Sequence, residues 1–144
     1  MDRNDFNIRP MKAEDYPNVY QLWQQMPNPH ISDLDDSFDE ISRLLRFNPG
    51  FCFVAETDDH QIIGSALGAT DGRRGTIYHL VTDPMISGTD LKRTLANLII
   101  KKLKAVKIHK MSVTVLDDNQ DDQLFWKSLK FVNLDNTKRY DKII

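Results

Sequence analysis

The residues best suited to chemistry lie between Thr76 and Ile108. TIYHLVTDP reads as a strand, MISGT is a short polar turn, and DLKRTLANLIIKKLKAVKI carries the pattern of a long helix. A strand feeding a turn and then a helix N-terminus exposes backbone N–H groups that lack intrahelical partners, and the helix dipole adds positive charge there. The junction suits an anion. Gly88 gives its turn extra freedom. Two caps are open: Asp90 at the N-cap would cover the amides an anion needs, whereas Ser87 as cap, with Asp90 reaching back to its amide, leaves others free. Lys92 and Arg93 add charge one turn on, or form a solvated basic face with Lys101, Lys102 and Lys104. In the strand, His79 is of the residue type best suited to accept a proton near neutrality, and simple alternation turns it to the opposite face from Tyr78. Its other role is that of a structural histidine.

Other titratable groups are less pointed. HISDLDD and the residues after it carry Asp33, Asp35, Asp36, Asp39 and Glu40, which either attract a cationic substrate or serve as dipole partners of the next helix. His30 stands in the same loop, while His60 and His109 fall in turns. Cys52, the single cysteine, sits in FCFVA and reads as a buried strand residue rather than an activated thiol.

The elements that hold these groups follow from periodicity. FNIRPMK makes a short edge strand. Helical spacing of Tyr16, Val19, Tyr20, Trp23 and Met26 predicts a first helix over 13–26, closed by Pro27 and Pro29. Ser37 with Glu40 begins a second, which NPG stops. Strands over 51–57 and 61–70 flank DDH, and the DGRRG turn leads to the strand from Thr76. Gly64 and Gly68 mark a bulge or a close approach of another group. After the central helix, Met111, Val113 and Val115 alternate, DDQLFWKSLKF is helical, and FVN with KRYDKII supplies one or two last strands. The order βααβββαβαβ(β) makes the strands either side of the central helix parallel in an otherwise antiparallel sheet.

With 144 residues the chain is expected to form one domain, 1–144. A net charge of −2 and no aromatic residues among the helix cations argue against nucleic acid as a partner. No segment has the roughly 18 consecutive apolar residues of a membrane span, and the opening lacks a signal-peptide pattern, so a cytoplasmic protein is expected. No metal site is predicted.

IRPMKAEDYPNVYQLW, IYHLVTDP and VLDDNQDDQLFWKSLKF, in this order of elements, resemble the GNAT N-acetyltransferase superfamily. The resemblance implies an α+β fold with a mixed, mostly antiparallel sheet of six or seven strands flanked by four helices. It implies acetyl-CoA as cosubstrate, its pantetheine between splayed central strands and its pyrophosphate on the loop and first turn, here Ser87, Gly88, Thr89, Asp90, Leu91, Lys92 and Arg93. Val81 and Thr82 take the place of the backbone oxyanion donor. Tyr78 takes the place of a frequent Glu base, with His79 beside it, and Asn119 and Phe125 match positions that hold the CoA arm. Trp126 replaces a tyrosine acid, Lys130 a glycine, and Ser87, Asp90 and Lys92 stand where the loop usually has Arg or Gln, Gly, and Gly or Ala. The implied function is acetyl transfer to an amine of a small molecule or peptide, by a protein that forms a homodimer. The departures leave an alternative: a catalytically inactive binding or regulatory module on the same fold.

Overall fold

The computed structural model describes residues 5–27, 29–86 and 88–144, without the side chains of residues 88 and 89. Two compact units divide the chain, residues 1–113 and 114–144. The first contains β1 (Phe6–Pro10), a 3₁₀ turn (Ala13–Asp15), α1 (Tyr16–Gln24), α2 (Phe38–Phe47), β2 (Cys52–Thr57), β3 (Ile62–Thr70), β4 (Gly75–Thr82), α3 (Gly88–Ala105) and β5 (Met111–Ser112). The strands lie in sequence order, antiparallel except for β4 and β5, which run parallel as the helical crossover requires.

The sheet has five strands among the described residues, not six or seven. FVN and KRYDKII form no strand, and β5 is two residues long. The apolar residues that suggested strands there, Val132, Tyr140 and Ile143, are largely exposed. Their β propensity describes fitness for a half-buried pleat and does not itself supply a partner.

Each face of the sheet is packed by helix. Over one face α3 lays Leu91, Leu95, Ile99 and Leu103, one residue every four, all buried. The strand glycines make the seat for that ridge. A methyl group at Gly68 would stand 2.7 Å from the Phe51 carbonyl oxygen and 2.9 Å from Ile99 Cγ2, and one at Gly64 would meet Leu95 and Leu91 at 3.1 and 3.2 Å. The bulge reading also holds at Gly64, since the β2–β3 register shifts between Ala55 and Glu56, where β3 passes from Gly64 to Ile62. The other face packs Leu67 and Val54 with Val19, Leu22 and Trp23 of α1 and Ile41 of α2. Burying these side chains contributes roughly 1.5–3 kcal/mol each.

Local chemistry sets the helix ends. The first helix is shorter than its pattern, because residues 13–15 wind as a 3₁₀ turn before Pro17 opens α1. Arg9 fixes that turn, with both guanidinium ends on Asp15 at 2.7 and 2.8 Å and on Glu56 of β2 at 3.1 and 3.2 Å. Ser37 caps α2, accepting from the Glu40 amide at 3.3 Å. The last turn of α3 closes with Lys107 left-handed at φ 69°, the Ile108 amide returning to the Leu103 carbonyl.

The second unit holds α4 (Gln120–Ser128) and the residues around it. It ends the same way: Lys130 has φ 71°, its amide donates to Lys127 and the Phe131 amide to Trp126. That left-handed position is where a glycine is expected by resemblance, and lysine fills it here. Phe125, Trp126 and Phe131 pack edge to face, with ring centroids 5.1 and 4.8 Å apart.

Candidate active site

The site is built on an irregularity in β4. From Ser65 to Leu67 the third strand advances two residues, while β4 advances three, from Val81 to Tyr78. The extra residue is accommodated at His79, whose φ of 47° is left-handed. Such a conformation is strained for a residue with a side chain, and strain of this kind clusters at functional sites. The bulge corrects the alternation argument. Tyr78 pairs with Leu67, and Leu67 shares a cluster with Trp23. His79 stacks on Trp23, centroids 3.9 Å apart and 16° between planes. Tyr78 and His79 therefore lie on the same face of the sheet, the α1 face.

A closed hydrogen-bond circuit holds His79. The Trp23 indole donates to Ser65 Oγ at 2.9 Å, and Ser65 donates to the His79 carbonyl at 2.7 Å. Nε2 of His79 meets Asp36 Oδ1 at 2.7 Å. Asp36 also accepts from the Ser32 amide at 2.9 Å, and Tyr16 donates to the Asp36 carbonyl at 2.6 Å. Burial pushes the Asp36 carboxyl up, but the His79 ring and the Ser32 amide outweigh it and hold the group below its usual range. Burial, with Tyr20 and Asp36 nearby, raises the Tyr16 phenol and keeps it a donor. His79 is 16 % exposed at its side chain, whereas Tyr78 is 50 % exposed.

The rest of β4 offers its backbone. Pairing with β5 covers only Gly75 and Thr76. From Ile77 to Thr82 that edge of β4 has no ladder partner among the described residues. The Asp83 amide donates to the Ile63 carbonyl at 2.8 Å, so Asp83 and Val81 turn their amides toward β3. Thr82, between them, turns its N–H toward the open edge.

Beyond Thr82 the chain is held by Asp83, a buried carboxylate that accepts from the Met85 amide at 2.9 Å. Helix α3 begins at Gly88. Asp90 is thus the third helical residue and not the N-cap, and its side chain is exposed. Ser87, the other candidate cap, and the side chains of Gly88 and Thr89 lie outside the described residues. Leu91 is buried against the sheet, which anchors the first turn beside the end of β4. Lys92 and Arg93 begin the next turn.

In the second unit Asn119 caps α4, accepting from the Asp122 amide at 3.0 Å. Phe125 and Trp126 are buried in its aromatic cluster. Cys52 is buried too, and burial pushes its thiol up to about 12, so it is inert at neutral pH. No metal-binding cluster of His, Cys, Asp or Glu occurs among the described residues, and none of their helices is long and apolar enough to cross a membrane.

A strand that pairs with its parallel neighbour over two residues only, then runs into a loop and a helix N-terminus, agrees with the element order on which the resemblance rested. The profile of the acetyltransferase (GNAT) family matches residues 16–131. The chain belongs to the GNAT acetyltransferase family. An acetyltransferase of Pectobacterium atrosepticum is 29 % identical to this GNAT chain over 128 residues, 89 % of each. Among solved structures, Ard1 of Thermoplasma volcanium superposes with a TM-score of 0.77 at 18 % identity, over 88 % of this chain and 82 % of that one. An acetyltransferase of Streptococcus agalactiae also gives 0.77, at 14 % identity over 96 % and 91 %. The enzyme therefore has the α+β GNAT fold, in a family that transfers acetyl groups from acetyl-CoA to amines.

Two residues of this site were not legible as such. Trp23 reads in the sequence as core, and Asp36 as one of several loop acids. Both are bound to His79 only through the bulge, and no local sequence signal marks a bulge in IYHLVT beyond the absence of a clean apolar alternation.

Proposed function

We propose that this GNAT acetyltransferase moves the acetyl group of acetyl-CoA to a primary amine that is cationic at neutral pH, with His79 as the proton acceptor. The observation that carries the reading is the bulge: it turns a titratable ring onto the face of Tyr78, next to a stretch of β4 whose edge has no ladder partner among the described residues. Tyr78, in the place of the family's Glu, is a phenol and a poor base near neutrality. His79 is the better acceptor.

The following roles belong to this reading. The Thr82 N–H, aimed to the open edge, suits the thioester oxygen as negative charge develops on it. First-turn amides of α3 suit the pyrophosphate, with Lys92 and Arg93 adding attraction that Asp90 partly cancels. Asn119, which the resemblance assigns to the CoA arm, uses its carbonyl to cap α4. Trp126 and Phe125 have a packing role, since indole N–H does not transfer a proton at useful pH. Exposed Asp33 and Asp35, near Asp36 in sequence, favour a cationic acceptor, whether small molecule or peptide.

The steps balance. The ammonium gives one proton to His79, the neutral amine attacks, a C–N bond forms and the thioester C–S bond breaks. The departing thiolate takes the second amine proton, and His79 releases the first to solvent. The family match spans both compact units, which supports one acetyltransferase domain over 1–144. A homodimer belongs to this reading, supported by the exposed apolar tail, and sedimentation at the monomer mass would remove it. The main test is release of the CoA thiol on adding small amines or peptides. His79→Gln is expected to lower kcat by about 10²-fold or more. Unchanged turnover refutes the base, and absence of turnover with any amine while acetyl-CoA binds refutes the acceptor class.

A further inference from the structure

We infer that Asp36 is a positioning residue for acetyl transfer, holding His79 in the tautomer that carries its proton on Nε2 and leaves Nδ1 as the acceptor. The inference rests on the reading of His79 as base, and adds a residue from a different element, the loop between α1 and α2. Its ground is the Nε2–Oδ1 distance of 2.7 Å between two side chains of low exposure. A carboxylate accepts and cannot donate, so the hydrogen of that bond belongs to Nε2. Nδ1 has no hydrogen-bond partner among the described residues and keeps its lone pair.

Asp36 is itself held on both sides. The Ser32 amide binds Oδ2, Tyr16 binds the backbone carbonyl, and Asp36 donates its own amide to Ser32 at 2.9 Å. The ring is held as firmly by the Trp23 stack and by Ser65 on its carbonyl. Groups facing the pair are thus Tyr16 and Trp23 of α1, Ser65 of β3 and Tyr78 on β4. Asp36 is the acid among them that bonds the ring. When Nδ1 takes the amine proton the ring becomes cationic, and the bond to Asp36 becomes an ion pair in a site sheltered from water. The resting bond is already charge-assisted because its acceptor is a carboxylate, and the protonated ring adds an attraction of opposite charges that weighs more in a sheltered site than in water. Asp36 therefore acts more on the protonated intermediate than on the resting enzyme, which raises kcat and leaves acetyl-CoA binding alone.

Two measurements test this on the whole chain. The first is ¹⁵N NMR of histidine-labelled protein at pH 8, where the His79 ring, one of four histidines, is expected as the Nε2–H tautomer. An Nδ1–H tautomer overturns the inference without reference to activity. The second is a double-mutant cycle on kcat. Asp36→Asn is expected to lower kcat about ten- to a hundredfold with KM for acetyl-CoA within about twofold, Asp36→Glu to recover part of it, and Asp36→Asn to cost less than about twofold in a His79→Gln background. If it costs as much there as in the unaltered enzyme, Asp36 acts structurally and the inference falls while the base reading stands. If His79→Gln alone keeps full kcat, the base reading falls and takes the role of Asp36 with it. Thermal melts of each variant keep loss of fold distinct from loss of rate.

Discussion

Removing the charge of Asp90 should tighten acetyl-CoA binding while it weakens the helix. Asp90 is the third residue of α3, about 3 Å along the axis from Gly88 at a rise of 1.5 Å per residue. A pyrophosphate on the first-turn amides would then lie roughly 7 Å from its carboxylate. The side chain is exposed, so the water value of the dielectric applies, and one charge against two gives about 1.2 kcal/mol of repulsion, screened to about 0.5 kcal/mol at physiological salt. Asp90→Asn should lower Kd about two- to eightfold. The same carboxylate favours the positive end of the helix dipole, so the variant should lose about 0.3–1 kcal/mol of stability. Calorimetric titration with acetyl-CoA at 20 mM and 500 mM salt, beside a denaturation curve, reads both signs. Equal or weaker binding of the variant at low salt would refute a pyrophosphate held at this turn, as would a gain that persists at high salt.

Further outcomes follow from the packing. Gly68→Ala should destabilise by about 1–3 kcal/mol, since its methyl meets a backbone oxygen at 2.7 Å, whereas Gly64→Ala meets flexible leucine ends and should cost less; urea unfolding that ranks them in reverse would contradict the seat proposed for α3. Lys130→Gly should stabilise by about 0.5–1 kcal/mol, because the exposed lysine holds a left-handed backbone that glycine adopts freely, and a lower melting temperature would contradict that assignment. The Arg9 cluster predicts acid sensitivity: Asp15 is raised by burial but lowered overall by Arg9 and the Lys12 amide, and Glu56 is lowered chiefly by Arg9. Depressed carboxyls contribute stability above their ordinary range near pH 4 and lose it as pH falls through the folded values. The melting temperature should drop steeply below about pH 4.5, and Arg9→Gln should be less stable at pH 7 with a shallower acid slope; an equal slope would contradict the linkage.

The elements of the first unit were largely legible because each rests on a repeating pattern. The Leu91, Leu95, Ile99, Leu103 ridge, the Ser37 cap and the parallel return after the central helix all follow from spacing and topology. The last strands were not, since β-forming residues in FVN and KRYDKII measure willingness to pair and say nothing of a partner. At the site the error was of one residue. Alternation is a rule of period two, and a single left-handed residue at His79 resets it, which moves a side chain across the sheet. Asp36 and His79 are 43 positions apart, and only that reset brings them together.

The same bulge explains why an altered loop sequence is compatible with membership of the family. Holding an anion at a helix start and stabilising an oxyanion from a strand edge are tasks of backbone N–H groups, fixed by where β4 ends and α3 begins. Under the proposed reading, Asp90 and Lys92 modulate those tasks by charge, and the backbone performs them. Proton removal from the amine is different, because no backbone group does it near neutral pH, and there the chain must supply a side chain. With tyrosine in the usual place of the base, the bulge turns the neighbouring histidine to the same face and sets it on Trp23. The bulge and the edge without a ladder partner occupy the same stretch of β4, from Ile77 to Thr82, and a change that straightens β4 should carry His79 off the Trp23 ring.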